Sequence, residues 1–308
     1  MISRRNIRVK VMQALYTLST DETSVQQNDP IKLLQKHFDQ SRDLLVYFLH
    51  SIDEVCAYAE TDSFNRTSKH LPTKEDLQVN TKIADNEILW KLKEDETYKK
   101  EVQKAKPQQR TDRELIKRLY NSFAQTESYR NYIATPGSDR QYEKGILLFL
   151  IDELLLPSEV FVANLEENFS NWDDDGEMIL HLSKSFINKP GSIDFTQIIS
   201  GEKWMFAKNL LATVLEKDHH LESFIFPKLK NWDSERIAAL DLILMKMGVA
   251  EFLYFETIPP KVTINEYIEL AKDYSTHQSG QFINGILDNI HKELVQEGKL
   301  HKTDFRKV

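Results

Sequence analysis

The sequence predicts an all-α fold. Hydrophobic residues make up 41% of the 308-residue chain, which contains only nine glycines and nine prolines. Apolar residues recur at helical spacing over long stretches, whereas alternating, strand-like runs are few. This combination favours helices over sheets. A chain of this length can bury a sizeable core and is large enough for a main body with an insertion or for two subdomains.

The first predicted helix begins after Ser3, a plausible N-cap, and ends at about Thr20. Its inner stripe consists of Ile7, Val11, Ala14, Leu15 and Leu18. Residues 1–20 carry no acid and four cations, namely Arg4, Arg5, Arg8 and Lys10. Arg4 and Arg8 are one turn apart with Arg5 beside them, and guanidinium groups pair well with phosphate oxygens. Taken alone, such a basic helix end is more typical of a solvated surface than of a nucleic-acid site.

The central part of the chain is predicted to be helical between short breaks. Residues 61–75 are expected to form a loop, and Pro107, Pro136-Gly137 and Pro157 separate neighbouring helices. The predicted helices lie at about 30–60, 77–104, 112–133, 140–155, 158–170, 203–217, 219–229 and 233–256.

Two more helices are predicted near the C-terminus. Pro259 and Pro260 end the preceding helix, and Thr263 with Glu266 predicts a capping box at the start of the next. Gly285 is expected to let another helix pack closely. The two inner stripes are Ile264, Tyr267, Ile268, Ala271 and Tyr274, and then Ile283, Ile286, Leu287, Ile290 and Leu294.

Short motifs at both ends of the chain carry a resemblance to a known family. At the C-terminal end, within about 231–294, they are Lys261-Val262, Asn265-Glu266, Glu269-Leu270-Ala271 and Phe282-Ile283-Asn284-Gly285-Ile286-Leu287-Asp288. At the N-terminal end they are Arg4-Arg5-Asn6-Ile7-Arg8 and Gln13-Ala14-Leu15-Tyr16. Together these segments resemble the NusB family of bacterial transcription antitermination factors. Asn6 departs from the pattern, since many members have an arginine there.

The resemblance implies a helical bundle body formed by residues 1–60 and 201–308, with residues 61–200 as a helical insertion of unknown role. It also implies an RNA-binding factor that binds a boxA-type element of nascent ribosomal RNA together with NusE, a small-subunit ribosomal protein. That pair would join the RNA polymerase antitermination complex and suppress premature termination. The residues implied are Arg4, Arg5 and Arg8 for phosphates, Tyr16 and Phe282 beside the bases, and Glu251 facing NusE.

The charge distribution is compatible with RNA binding although the net charge is −8. Residues 151–180 hold nine acidic side chains and no lysine or arginine. At a Debye length of about 8 Å, a distant acidic segment is largely screened from the basic N-terminal helix. The same acidic segment also supports an alternative, in which the chain is a helical protein–protein interaction scaffold that recruits a basic partner and binds no RNA.

The motifs of enzymes, cofactor sites and metal sites are missing from the sequence. There is no Gly-x-Gly, no phosphate-loop lysine, no His-Glu-x-x-His and no Gly-x-Ser-x-Gly, so we expect neither an enzyme nor a bound cofactor. NusB-like domains are also found fused to ribosomal RNA cytosine methyltransferases, but this chain has no room for that catalytic domain. Residues 171–176 imitate a calcium loop, yet Leu182 stands where its glutamate is required, so no metal is expected.

Compartment and membrane association are predicted from what the sequence omits. The single cysteine, Cys56, excludes an intrachain disulfide and is expected to be buried. No run of 18 apolar residues and no signal-peptide pattern occurs. We therefore expect a cytoplasmic protein with no membrane partner.

Overall fold

The computed structural model describes residues 2–20, 29–74, 76–137, 139–229 and 237–303. These residues form helices and no strand, which confirms the all-α prediction. Within the same ranges, no helix combines the length and the apolar character that crossing a bilayer would require.

The helices follow one another along the chain with short connections. The α-helices are α1 (Arg4–Thr20), α2 (Pro30–Thr67), α3 (Glu87–Glu94), α4 (Glu96–Ala105), α5 (Arg113–Ala124), α6 (Glu127–Ala134), α7 (Arg140–Phe149), α8 (Glu159–Asn168), α9 (Trp172–Asn188), α10 (Gly201–Glu216), α11 (Asp218–Ile225), α12 (Ala239–Tyr254), α13 (Pro260–Tyr274) and α14 (Ser279–Gln296). Single turns of 3₁₀-helix lie at Asp76–Gln78, Lys82–Asp85, Pro107–Gln109 and Phe226–Lys228, and a π-helix at Leu150–Leu155 follows α7.

The chain divides into two compact units. The central unit comprises Asp39–Ile198, and the terminal unit comprises Ile2–Phe38 together with Ile199–Val308. The first boundary therefore falls inside α2, after Phe38, whereas the sequence-based division was placed at residue 60. The second boundary lies within two residues of the predicted one.

Helix α12 is the centre of the terminal unit. It packs against α13 and α14 on one side and against α1, α10 and α11 elsewhere. Most of its side chains are buried on every face, which is typical of a helix enclosed by others. Its predicted start at residue 233 lies outside the described residues.

Helix α1 begins as the sequence predicts. The Ser3 hydroxyl oxygen accepts a hydrogen bond from the Asn6 amide at 3.1 Å, so Ser3 is the N-cap. All five residues of its predicted inner stripe are buried. The remaining faces of α1 therefore decide what the helix can present to a partner.

Helix α13 begins earlier than predicted, and the capping box at Thr263 and Glu266 is wrong. The helix starts at Pro260, because proline lacks only an amide that would be unpaired in the first turn. Thr263 is thus already inside the helix, where its hydroxyl donates to the Glu251 carboxylate at 2.9 Å. Glu266 likewise accepts from Arg8, at 3.4 Å.

Gly285 does not have the packing role predicted for it. A Cβ atom at this position would meet nothing within 4 Å, and the residue is exposed on α14. The close approach is at Gly248 instead, where an added Cβ would lie 2.9 Å from both terminal methyl carbons of Leu287.

The central unit contains the other differences from the predicted helices. The loop predicted at 61–75 begins only after Thr67, because the Arg66 guanidinium pairs with Asp62 at 2.8 Å and supports the last turn of α2. The single helix predicted at 77–104 is broken where Asn86 and Asp95 act as N-caps. Helix α9 was not predicted at all, although Cys56 is buried as expected.

The calcium-like segment forms the start of α9. The Asp175 carboxylate is buried and accepts from Ser41 at 2.7 Å and from Asn171 at 2.6 Å. These bonds give Asp175 a structural role, since they tie α9 to α2 within the central unit.

Candidate nucleic-acid interface

One face of α1 presents a cation and an aromatic ring together. Arg5, Met12 and Tyr16 are spaced seven and four residues apart, so at 3.6 residues per turn they are nearly aligned along the helix. The Arg5 and Tyr16 side chains are 41% and 45% exposed. At about 1.5 Å per residue, the two lie about 16 Å apart along the axis. This face can therefore follow an extended strand over several contacts.

Arg4 and Arg5 both pair with exposed carboxylates. The Arg5 guanidinium lies 2.7 Å from Asp273 at the end of α13, and the Arg4 guanidinium lies 3.4 Å from Glu202 at the start of α10. Arg4 also lies 5.5 Å from the ring centre of Phe206. Such exposed ion pairs contribute only about 0–1 kcal/mol. A phosphate group can thus replace either carboxylate at little cost.

Arg8 does not reach the surface, which corrects the prediction that it binds phosphate. Its side chain is 2% exposed, and its Nε and second amino group lie 2.7 and 3.1 Å from the two oxygens of Glu251. A further amino group lies 3.4 Å from Glu266. Burial would lower the pKa of Arg8, but the hydrogen bonds and charge of Glu251 outweigh it and raise that pKa. The guanidinium is an internal cation.

Glu251 is buried as well, which corrects the prediction that it faces a protein partner. Its side chain has no exposed surface. Each carboxylate oxygen accepts two hydrogen bonds, because Tyr267 donates to Oε1 and Thr263 to Oε2, both at 2.9 Å. Burial, followed by the charge of Glu251, raises the pKa of Tyr267 well above its usual value. This network holds α1, α12 and α13 together beneath the exposed arginines.

A largely apolar cleft lies beside Tyr16 within the terminal unit. It has a volume of about 440 Å³ and is bounded by three elements, the outer face of α1, the start of α12 and the turn after α13. Its lining residues are Met12, Gln13, Tyr16, Ala238, Ala239, Leu240, Tyr274, Ser275 and Thr276. Tyr274 directly follows Asp273, the partner of Arg5. The Arg5 pair and the cleft are therefore connected through adjacent residues of α13.

Phe282 lies on α14, half-buried. It is not among the residues that line the cleft beside Tyr16. Of the predicted site residues, the structure thus places Arg4, Arg5 and Tyr16 at the surface of α1, and it places Arg8 and Glu251 in the core.

Sequence reasoning missed the residues that partner this site. Asp273, Glu202 and Tyr274 carry no motif, because an acidic residue near a helix end is common on any surface. Arg8 did carry a usable signal. It is seven residues before Leu15 and three before Val11, which places it on the buried side of α1.

The family comparison agrees with the C-terminal part of this description. The NusB family model matches residues 171–292. The match begins at the start of α9 in the central unit and continues through α10–α14.

Two curated relatives and one solved structure illustrate the similarity. The transcription antitermination protein NusB of Chloroherpeton thalassium is 41% identical over 98 residues, which are 32% of this chain and 46% of that protein. The NusB of Salinibacter ruber is 43% identical over 98 residues, 32% of this chain and 61% of that protein. A crystal form of T. maritima NusB is 29% identical, covers 40% of this chain and 82% of that chain, and superposes with a TM-score of 0.30.

The matched part is limited on both sides. It spans about half the length of these two curated relatives, 46% and 61%, and the matched 98 residues leave most of this chain outside the alignment. Over residues 171–292, the chain contains a NusB-family domain.

Proposed function

We propose that this chain is a transcription antitermination factor that binds single-stranded RNA through the outer face of α1. Its RNA is a boxA-type element of nascent ribosomal RNA, bound jointly with NusE, and the pair joins RNA polymerase to suppress premature termination. The family domain at residues 171–292 and the names of the relatives support the class of protein. The alignment of exposed Arg5 with Tyr16 on one helix face is the observation that carries the RNA site.

In this proposal Arg4 and Arg5 bind phosphates and Tyr16 stacks on a base. Both guanidinium groups exchange an exposed carboxylate for a phosphate, which preserves a charge-assisted hydrogen bond. Tyr16 offers a half-exposed ring at the edge of the apolar cleft. Phe282 is kept as a second aromatic contact on the same RNA, on the strength of the family resemblance alone.

The body that performs this function is proposed to be the terminal unit with α9. The central unit, apart from α9, is proposed to be the elaboration that the sequence placed at residues 61–200. Family similarity supports this division because the match begins at residue 171.

Replacing Arg4 and Arg5 with alanine is expected to weaken binding of a boxA-type RNA. The slope of log affinity against log salt should fall by about 1.4, since each phosphate contact on a single strand contributes about 0.7. Tyr16→Ala should cost about 1–3 kcal/mol, the usual value for base stacking on an aromatic ring. Fluorescence anisotropy across a salt series, with and without NusE, measures these effects.

Two controls make this test specific. Lys208→Ala with Lys217→Ala removes the same charge at and just beyond the far end of α10 and should leave the slope unchanged. Asp273→Ala releases Arg5 from its ion pair and should tighten binding. If the arginine variant binds with unaltered affinity and slope, the phosphate site is wrong. If the wild-type chain binds no RNA but retains a basic protein partner, the scaffold alternative replaces this proposal.

A further inference from the structure

A basic surface lies in the central unit, outside the residues that match the NusB family. Residues 99–118 carry eight lysines and arginines and three acids, on a chain whose net charge is −8. They form the end of α4, the 3₁₀ turn at Pro107–Gln109 and the first half of α5. One of the three acids, Glu101, is buried and lies 2.9 Å from Arg42 and 2.6 Å from Lys104. The exposed part of this segment is therefore strongly positive.

Most of these cations are not neutralised by neighbours. Among the described residues, no carboxylate lies within ion-pairing distance of the following five exposed side chains: Lys100, Lys106, Arg110, Arg113 and Arg118. Lys117 is 3.6 Å from Glu114 in a weak, exposed pair. Asp112 is engaged as the N-cap of α5, where it accepts from two amides. Several guanidinium and ammonium groups are thus left to attract an external polyanion.

A small polar cleft adjoins this surface. It has a volume of about 110 Å³ and contains Arg110. Its other lining residues are Gln40, Asp43, Asn168, Phe169, Ser170 and Asn171. The Arg110 guanidinium lies over the Phe169 ring at 4.9 Å, and Tyr47 donates to the Arg110 carbonyl at 3.2 Å. The arginine at the mouth of the cleft is therefore positioned by its neighbours.

We propose that this basic surface and the cleft at Arg110 form a second binding surface for single-stranded RNA. The cations supply phosphate contacts. The amide side chains and the Asp43 carboxylate supply the donors and acceptors that read exposed base edges, and the stacked Arg110 supplies a planar face for a base. An acidic protein would use the cations but would leave this set of amides without a purpose, so the chemistry favours RNA.

This inference goes beyond the function proposed for the terminal unit and does not depend on it. The surface lies entirely within residues 39–198, and none of its residues belongs to α1. Failure of one site therefore leaves the other measurable. The arginine pair on α1 tests the first, and the cations between α4 and α5 test the second.

The full-length triple variant Lys106→Ala, Arg110→Ala, Arg113→Ala is expected to bind a single-stranded RNA of about 40 nucleotides more weakly. Three lost phosphate contacts should lower the salt slope by about 2, and affinity at low salt should fall at least tenfold. The matched control is Arg130→Ala, Arg140→Ala, Lys189→Ala, which removes the same charge from exposed positions of the same unit. The control should stay within twofold of wild type.

Three outcomes would overturn the proposal. The first is equal binding by the triple variant and its control. The second is tighter binding of polyglutamate than of RNA at equal charge, lost in the same variant, which would indicate an acidic protein partner. The third is an absence of photo-crosslinks from thiouridine-labelled RNA to residues 99–118 and 168–171. If the triple variant does not fold, Lys100→Glu with Arg118→Glu provides the same test from the outer faces of α4 and α5.

Discussion

Arg8→Ala is expected to lower the free energy of unfolding by about 3–5 kcal/mol, because it leaves the carboxylate of Glu251 buried without its cation. Glu251 has no exposed surface, and Arg8 supplies two of its four hydrogen bonds. Glu251→Ala should be similarly costly, since it strands Arg8 and removes the acceptor of Thr263 and Tyr267. Urea unfolding of the full chain measures both. Arg4→Ala, which breaks only an exposed pair, should change stability by less than about 1 kcal/mol.

The double variant Arg8→Met, Glu251→Leu separates a buried pair from two independent contributions. Replacing both charges with apolar side chains removes the desolvation cost together with the attraction, so the double variant should cost far less than the sum of the two alanine variants. Additive losses would show that the two residues act separately. A loss of RNA affinity in Arg8→Ala without any loss of stability would restore the surface role that the sequence suggested.

The buried pair also shows how far sequence reasoning reaches in this protein. Helix α12 is apolar on nearly every face, so a glutamate within it requires an internal partner. Arg8 occupies the inner side of α1 by its spacing from Leu15. Both halves of the pair were therefore visible in the pattern. Their joining was not, because the two residues are 243 positions apart in the chain and only tertiary packing brings them together.

Local signals misled where tertiary contacts offered their residues better partners. Thr263 and Glu266 match a capping box, but a buried carboxylate and a buried guanidinium take their side chains instead. By contrast, Ser3 has no buried partner and caps α1 as predicted. The inner stripes of α1 and α14 were predictable residue by residue, since apolar burial depends on periodicity more than on particular partners.

In the candidate site, the exposed Arg4, Arg5 and Tyr16 follow from helical spacing, and the resemblance supplies their meaning. The cleft beside Tyr16 does not follow from the sequence, because three separate elements bound it. The surface at Arg110 is similar in this respect. Its charge is legible in residues 99–118, but the contribution of Phe169 and Asn171 requires the fold.

Gly248→Ala is expected to lower the free energy of unfolding by about 1–3 kcal/mol, the usual cost of overpacking a core. The added Cβ would lie 2.9 Å from both terminal methyl carbons of Leu287 and 3.4 Å from the Tyr267 ring, and both side chains are fully buried. Alanine is favoured over glycine in a helix by about 1 kcal/mol, but that gain is smaller than the strain. Thermal or urea unfolding of the full chain tests this.

Gly285→Ala is the matched control within the same bundle, and it should have the opposite sign. The position is exposed on α14 with nothing within 4 Å of an added Cβ, so only the helix preference remains, a gain of about 0.5–1 kcal/mol. Leu287→Ala should cost about 2–5 kcal/mol alone. Combined with Gly248→Ala it should cost less than the sum, because the new methyl group occupies the space that the leucine vacates. Strict additivity, or equal signs for the two glycines, would mean that α12 and α14 do not meet at Gly248.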